Sequence, residues 1–335
     1  MMDTNGSEIP GGPENASGRA VRSKRGNALG VHSVDAFAFS VPDLAEAERF
    51  YSAFGLDTRR MGDRLALHTF GNAFSWGVVH EAPGPKRLLY VSFGCFADDL
   101  KELRLRAQFF GAPLCAAHPL GKPDGFWLQH PDGFPVQVRV AERKMPDAAS
   151  TGVAEQPNTI GYGRAPRRSQ VNQVRPRRLA HLLLYSQDVQ RSIAFYEGVL
   201  GLRVSDRSGD DIAFIHAVHG SDHHLVAAAR SEGPGLHHLS WDVASINDVG
   251  LGMGQMQAAG YTRGWGVGRH VLGSNYFYYV RDPWGSYSEY SFDIDYISAD
   301  QEWVMGDHPP GDSLFLWGPD VPEDFIINYE LEAKT

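Results

Sequence analysis

The chain has 335 residues, a formal net charge of −9, and 42% hydrophobic against 21% charged residues. This length predicts two domains of an ordinary globular protein, and the acidic balance argues against nucleic acid or an anionic membrane as a partner. The two cysteines exclude a disulfide framework and a cysteine-based metal site. No apolar run approaches the ~20 residues that span a bilayer.

A polar stretch precedes the first predicted element. Residues 1–28 are glycine-rich and basic, so we predict a disordered tail there. The stretch lacks the apolar core of a secretory signal, and the expected location of the protein is the cytoplasm. The run from Val34 to Val41 predicts a strand, and Asp43 is the expected N-cap of a helix through Tyr51.

The rest of the first half contains strand-like runs and one further helix. We predict strands at 64–70, 75–80 and 88–93, a helix at 97–109, and further apolar segments at 126–129 and 136–140. Residues 143–176 are rich in Pro, Gly, Ser, Asn and Arg with little periodicity, which predicts a linker on the surface.

The same order of elements begins again after the linker. Residues 42–56 match 187–202, and residues 127–137 match 279–289. Each half contains the strand–helix–strands pattern twice, so we predict an α+β fold of four βαβββ modules. The modules pair into two predicted domains with curved mixed sheets, one at 29–142 and one at 177–298.

A C-terminal tail follows at 299–335. Its large apolar residues and prolines would be unusual in a free tail, so we expect it to pack on the second domain or on a neighbouring subunit. They are Trp303, Phe315, Leu316, Trp317, Pro319, Pro322, Phe325 and Ile326.

Two strands of the second half each place a metal-ligand side chain on a polar face. His238 alternates with Ser240 in one strand, and Glu289 alternates with Ser291 in the other. Because neighbouring strand residues point to opposite faces, His237 is expected on the apolar face as a structural residue. His238, Glu289 and one further His would form a 2-His-1-carboxylate site.

The two halves differ where the candidate ligands lie. Each ligand of the second half is lost in the first, although the surrounding framework is kept. His181 aligns with Ala36, His238 with Tyr90, and Glu289 with Gln137. The comparison predicts one metal site in the C-terminal half and a metal-free N-terminal half.

Four segments in the second half carry a family pattern. Three are centred on His181, His224 and His238. The fourth is Gly268-Arg-His270, seven residues, and then Tyr278-Tyr279-Val-Arg-Asp-Pro-Trp-Gly-Ser-Tyr-Ser-Glu289. In this order, residues 31–298 resemble the two-domain type I extradiol ring-cleavage dioxygenases of the vicinal oxygen chelate superfamily. The resemblance implies two glyoxalase/bleomycin-resistance-like domains.

The resemblance also implies a metal and a reaction. His181, His238 and Glu289 would bind Fe(II), Mn(II) suits the same ligands, and no organic cofactor is needed. These ligands leave three adjacent coordination positions, which suit the vicinal oxygens of a catechol and O₂. The expected activity is extradiol cleavage of a catechol-type diol in aromatic catabolism, and family members commonly form homo-oligomers.

Three further residues take roles from the resemblance. His224 would be the acid–base His, with His223 as the neighbouring alternative. Tyr279 would hydrogen-bond the metal-bound catechol oxygen, and His270 would contact the substrate. Apart from the resemblance, Tyr279 could be an ordinary strand aromatic and His270 a turn histidine.

The substrate is less defined than the reaction, because Leu272 and Gly273 stand where biphenyl-type relatives have polar residues. We favour a catechol with an apolar substituent over one whose acid side chain pairs with Arg269 or Arg281. One other function is a lyase, isomerase or thiol transferase of the same superfamily, which would need no acid–base His224. Another is a non-catalytic binding protein, which the intact ligand triad disfavours.

Overall fold

The computed structural model describes residues 24–152, 161 and 163–331. Most of the predicted N-terminal tail, part of the predicted linker and residues 332–335 lie outside the described residues. Within the described part, mixed β-sheets and a few α-helices are arranged as repeated modules, so the α+β prediction is confirmed. No helix in that part is long and apolar enough to cross a membrane.

The first sheet is built by the N-terminal half. Its elements are β1 (Ser33–Val41), α1 (Leu44–Phe54), β2 (Asp57–Met61), β3 (Arg64–His68), β4 (Gly77–Glu81), β5 (Arg87–Cys95), α2 (Leu100–Phe110), β6 (Leu114–Cys115), β7 (Phe126–Gln129) and β8 (Pro135–Val140). The strand order is β2-β3-β4-β1-β5-β8-β7-β6, so the first strands of the two modules are neighbours. The sequence does not predict β2, because this edge strand is polar and partly exposed and has no apolar face.

The second sheet repeats this plan. Its half contains β9 (Arg178–Ser186), α3 (Val189–Gly198), β10 (Arg203–Ser208), β11 (Ile212–His216), β12 (Ser221–Asp222), β13 (Val226–Arg230), β14 (Gly235–Asp242), α4 (Ile246–Ala258), β15 (Gly264–Arg269), β16 (Tyr276–Arg281), β17 (Tyr287–Phe292), β18 (Tyr296–Ile297) and β19 (Gly306–Asp307). The strand order is β15-β16-β17-β14-β9-β13-β11-β10-β19, and β12 pairs separately with β18.

The equivalent helices of the two halves begin in the same way. The Asp43 carboxylate accepts a hydrogen bond from the backbone N–H of Glu46 at 2.9 Å, and α1 follows it. Asp188 accepts from the N–H of Arg191 at 3.0 Å, and α3 follows. Each carboxylate satisfies an N–H that has no partner inside the helix, so the repeated Asp fixes where each helix starts.

The two halves share one hydrophobic core. Phe37 of β1 contacts Trp241 of β14 edge-on, with ring centroids 6.5 Å apart. Phe54 stacks on Tyr290 at 4.0 Å, and a buried ion pair joins Lys86 to Asp282 at 2.5 Å. The first sheet therefore packs directly against the central strands of the second, which carry the candidate ligands.

Candidate metal centre

Neighbouring strands of the second sheet bring the candidate ligands together. His181 of β9 pairs with Ser240 of β14, and Ser240 pairs with Glu289 of β17. Glu289 in turn pairs with Tyr279 of β16. Directly paired residues share a face of the sheet, so these four form one row across four strands. His238 lies on the same face as Ser240, two residues away, and completes the cluster.

The ligand atoms of the triad are close to one another. Nε2 of His181 lies 3.1 Å from Nε2 of His238 and 3.4 Å from Oε2 of Glu289. Nε2 of His238 lies 3.7 Å from the same carboxylate oxygen. Ligands at about 2.1 Å from a metal and at right angles are roughly 3 Å apart. In the described residues, no other group of three His, Cys, Asp or Glu side chains meets in this way.

Only one of the two carboxylate oxygens of Glu289 accepts a hydrogen bond. Asn275 Nδ2 donates to Oε1 of Glu289 at 3.1 Å and to the Ser291 hydroxyl at 3.0 Å. Oε2 is buried and has no hydrogen-bond partner. A buried carboxylate oxygen without a partner, aimed at two imidazole nitrogens, is the donor set that a divalent cation satisfies. The residues therefore fit a metal ion.

Sequence reasoning missed Asn275. It precedes β16 and lies in the seven-residue spacer between His270 and Tyr278, where the quoted family segment specifies no residue type. What distinguishes Asn275 is that its amide is buried and contacts Glu289, and the local pattern of apolar and polar residues carries no signal for either property.

The protonation of these groups suits metal binding. Burial holds the pKa of His238 well below its usual value, so the ring is neutral near pH 7. Burial alone would raise the pKa of Glu289, but the nearby imidazoles of His181, 3.4 Å from Oε2, and His270, 3.8 Å from Oε1, hold the pKa of this carboxyl below its usual value. The site thus presents an anionic carboxylate and an imidazole with a free lone pair.

His224 lies against the triad. Its ring centroid is 3.9 Å from that of His181, and it lines the cavity above the ligands. Burial, followed by the neighbouring imidazoles of His181 and His223, holds the pKa of His224 well below its usual value. His223 does not line the cavity, because its Nε2 bonds the Asp206 carboxylate at 2.7 Å while its Nδ1 contacts Nδ1 of His224 at 3.1 Å.

His270 and Tyr279 meet on the other side of Glu289. Nδ1 of His270 donates to the Leu314 carbonyl at 2.6 Å, so its Nε2 accepts from the Tyr279 hydroxyl at 3.0 Å. His270 Nε2 is also 3.8 Å from Oε1 of Glu289. Burial, with the charge of Glu289, holds the pKa of Tyr279 well above its usual value, and the phenol stays protonated.

The expected orientation of His237 is wrong. The pairing of β14 with β9 passes from Leu236 to His238 with a register shift, and His237 is the extra residue. Such a bulge breaks the strict alternation of side chains. His237 therefore lines the same cavity as His238, and the two Nδ1 atoms are 2.7 Å apart. Burial lowers the pKa of His237 to about 4.

A cavity of about 510 Å³ opens over the triad. Its apolar wall comes from strands of the second sheet, from the loop between β15 and β16, and from the C-terminal segment (residues 299–331). It includes Leu183, Ile212, Phe214, Leu272, Leu314, Phe325 and Ile326. The charged side chains of Asp211 and Arg230 also line it, 3.8 Å apart and mostly exposed.

Neither arginine proposed for a substrate carboxylate reaches this cavity. Arg269 donates to the Ser274 carbonyl and lies over the Tyr276 ring. Arg281 pairs with Asp324 at 2.6 Å. Both guanidinium groups bind other parts of the protein, which favours a structural role over the alternative of pairing with a substrate carboxylate.

The sequence was compared with protein families and with known proteins, and it matches both a family model and a relative of similar length. Residues 178–290 match the model of the Glyoxalase/Bleomycin resistance protein/Dioxygenase superfamily. The chain is 50% identical over 300 residues to Metapyrocatechase 2 of Cupriavidus necator, covering 90% of this chain and 93% of that protein.

Solved structures show the same fold at lower identity. The Mn(II)-bound glyoxalase from Novosphingobium aromaticivorans aligns with a TM-score of 0.69 and 24% identity, over 88% of this chain and 94% of that one. A substrate complex of homoprotocatechuate 2,3-dioxygenase from Brevibacterium fuscum aligns with a TM-score of 0.69 and 19% identity, over 90% and 94%.

Proposed function

Since the chain belongs to the extradiol ring-cleavage dioxygenases of the vicinal oxygen chelate superfamily, we propose that His181, His238 and Glu289 hold Fe(II) for cleavage of a catechol-type diol. The reaction opens the ring beside the diol and places both atoms of O₂ in the product, as a step of aromatic catabolism. The observation that carries the proposal is the buried, unpartnered Oε2 of Glu289, which faces both imidazole nitrogens. Mn(II) suits the same ligands.

The contacts of the side chains indicate which step of the reaction each residue would support. Fe(II), when bound, supplies a path for electrons from the catechol to O₂ and lowers the pKa of the bound hydroxyls. The residues around it position the substrate, exclude water and move protons.

His224 is the proposed acid–base residue. Its neutral ring contacts His181 and lines the cavity where the second catechol hydroxyl would lie. With Nδ1 engaged by His223, the other ring nitrogen is left to take the proton of that hydroxyl and to return it later.

Tyr279 is the proposed partner of a catechol oxygen. Because its hydroxyl proton is donated to Nε2 of His270, the oxygen of Tyr279, which lines the cavity, can still accept a hydrogen bond from a catechol hydroxyl. His270 holds this orientation, since its own N–H is fixed by the Leu314 carbonyl.

The cavity wall favours a catechol with an apolar substituent. Leu183, Phe214, Leu272 and Phe325 would bury such a group at about 25 cal/mol per Å² of apolar surface. An acid side chain would meet Arg230 only at the exposed rim, where Asp211 already neutralises its charge.

A catechol panel tests reaction and substrate together. Protein purified anaerobically and loaded with Fe(II) is mixed with catechol, alkyl-substituted catechols and 3,4-dihydroxyphenylacetate. O₂ uptake and the yellow ring-opened product are followed, and kcat/KM is expected to be highest for the alkylcatechols. Full metal occupancy without product from any member would overturn the dioxygenase assignment, and a preference for the acid would overturn the substrate class.

The protein is also proposed to form a homo-oligomer. Leu316 and Ile326 of the C-terminal segment are 64% and 72% exposed, and apolar surface of this kind is commonly covered by another subunit. Light scattering of the eluting protein tests this, and a monomeric mass at micromolar concentration would contradict it.

A further inference from the structure

A line of hydrogen bonds leads from the C-terminal segment to the metal site. The Phe325 carbonyl contacts Nε2 of His237 at 2.9 Å. Nδ1 of His237 contacts Nδ1 of His238 at 2.7 Å. Nε2 of His238 then faces His181 and the unpartnered oxygen of Glu289.

Which nitrogen donates and which accepts in each of these hydrogen bonds follows from the chemistry of the groups. A carbonyl oxygen only accepts, so Nε2 of His237 must carry the hydrogen. A neutral imidazole has a single N–H, and Nδ1 of His237 is therefore the acceptor. Consequently Nδ1 of His238 must donate, which leaves the lone pair of His238 on Nε2, the atom that faces the other ligands.

From these contacts we propose that His237 is a positioning residue that fixes the tautomer of the metal ligand His238, with its own tautomer fixed by the Phe325 carbonyl. The inference rests on the metal-binding role proposed above. It involves no change of charge, since both rings stay neutral and only the place of the N–H is determined.

Two aromatic side chains pack against the buried ring of His237. It lies nearly parallel to Tyr287, with centroids 5.6 Å apart, and edge-on to Phe325 at 4.8 Å. The bulge is required as well, because strict alternation would point His237 away from His238.

The C-terminal segment is tied to the same strand. The Glu330 carboxylate accepts from the backbone N–H of Leu236, the residue before the bulge, at 2.8 Å. Its other oxygen accepts from the N–H of Leu88 in the first sheet at 2.7 Å. These two bonds hold the end of the C-terminal segment against the strand that carries the bulge, and the Phe325 carbonyl of the same segment contacts His237.

The first measurement detects the tautomer without turnover. Metal-free protein labelled with ¹⁵N-histidine is examined by long-range ¹H–¹⁵N correlation NMR, with assignment of His238 from a His238→Ala spectrum. We expect His238 in the Nδ1–H form and His237 in the Nε2–H form. His238 observed with its hydrogen on Nε2 would overturn the proposal.

The second measurement is Mn(II) affinity, read from the EPR signal of free Mn(II). His237→Phe removes the acceptor and is expected to weaken binding by about 10- to 100-fold, the usual cost of losing a group that orients a ligand. His237→Asn places a carbonyl oxygen near the position of Nδ1 and should recover most of the affinity. The matched control is His219→Phe, a buried ring whose nitrogens have no hydrogen bond, which should bind Mn(II) as the wild type does.

The outcomes separate this inference from the proposed function. Wild-type affinity in folded His237→Phe would overturn the positioning role and leave the metal site intact. Wild-type protein that binds no Mn(II) and no Fe(II) would overturn the metal site itself. If His237→Phe does not fold, the tautomers measured in the wild type and the affinity of His237→Asn still decide the question.

Discussion

The two halves of the molecule each contain a row of side chains at equivalent positions across four strands, but the side chains in the two rows differ. In the second sheet the row is His181, Ser240, Glu289 and Tyr279. In the first it is Ala36, Ser92, Gln137 and Trp127, in the same cross-strand register. The scaffold is therefore shared, and the side chains alone decide whether a metal can bind.

The polar groups of the first row already have partners. The Gln137 amide donates to the carbonyls of Lys122 and Asp124, at 2.9 and 2.7 Å, and its oxygen accepts from Ser92 at 3.1 Å. Glu289, in the equivalent position, has one oxygen without a partner. The difference teaches that the candidate metal site is a row with an unsatisfied carboxylate oxygen, whereas the amide of Gln137 in the first half is already hydrogen-bonded within the protein.

The largest expected effect comes from giving the second row the residue of the first. Glu289→Gln removes the anion that faces the two imidazoles of His181 and His238, so stoichiometric metal binding and turnover should both be lost. Metal content by mass spectrometry and O₂ uptake measure this. Full iron occupancy in this variant would show that Glu289 is not a ligand.

A large effect on turnover alone is expected from His224, which is proposed as an acid–base residue and not as a metal ligand. His224→Phe should keep the iron and lower kcat by about 10²- to 10⁴-fold, the usual contribution of a general acid–base group. Metal content and kcat are measured on the same preparation. Loss of the metal instead would place His224 among the ligands.

The reverse exchange in the first half is a smaller perturbation. Gln137→Glu replaces two buried N–H donors by a carboxylate facing backbone carbonyls, which should lower the free energy of unfolding by about 1–3 kcal/mol. No second metal is expected, because Ala36 and Tyr90 supply no imidazole. Urea unfolding and metal stoichiometry test this, and a second equivalent of bound metal would contradict the comparison.

Acid should produce the most gradual effect and should act on both halves. Burial lowers the pKa of His32 in the first half to about 3, and those of His216 and His219 in the second to about 4. In the unfolded chain these rings titrate near pH 6.5, so below that pH the unfolded state binds more protons. Stability is complete above about pH 6.5 and falls as the pH decreases toward 4.

Calorimetry of the metal-free protein measures this dependence. The Tm should fall steadily between pH 6.5 and 4.5, and His219→Phe should make the slope shallower. A Tm that stays constant or increases as the pH is lowered from 6.5 to 4.5 would show that the buried rings are not neutral in the folded state.

The part of the candidate site that could be predicted is the part in which the two halves of the sequence can be aligned. Aligning the halves singled out His181, His238 and Glu289, the three side chains that the structure brings together, because strands in equivalent modules keep the same register. The bulge at His237, the amide of Asn275 and the cavity wall formed by Phe325 were not predictable in this way. Each depends on a contact between segments far apart in the chain, and local alternation of apolar and polar residues carries no signal for such contacts.

The position of Glu330 has a consequence for the order in which the molecule is assembled. Its carboxylate joins Leu88 of the first sheet to Leu236 of the second, so both of its bonds require the two halves to be docked. During synthesis the N-terminal half emerges first and can fold first. The part of the cavity wall that Phe325 supplies can be fixed in this way only after residue 330 has left the ribosome, later in synthesis than the three candidate ligands.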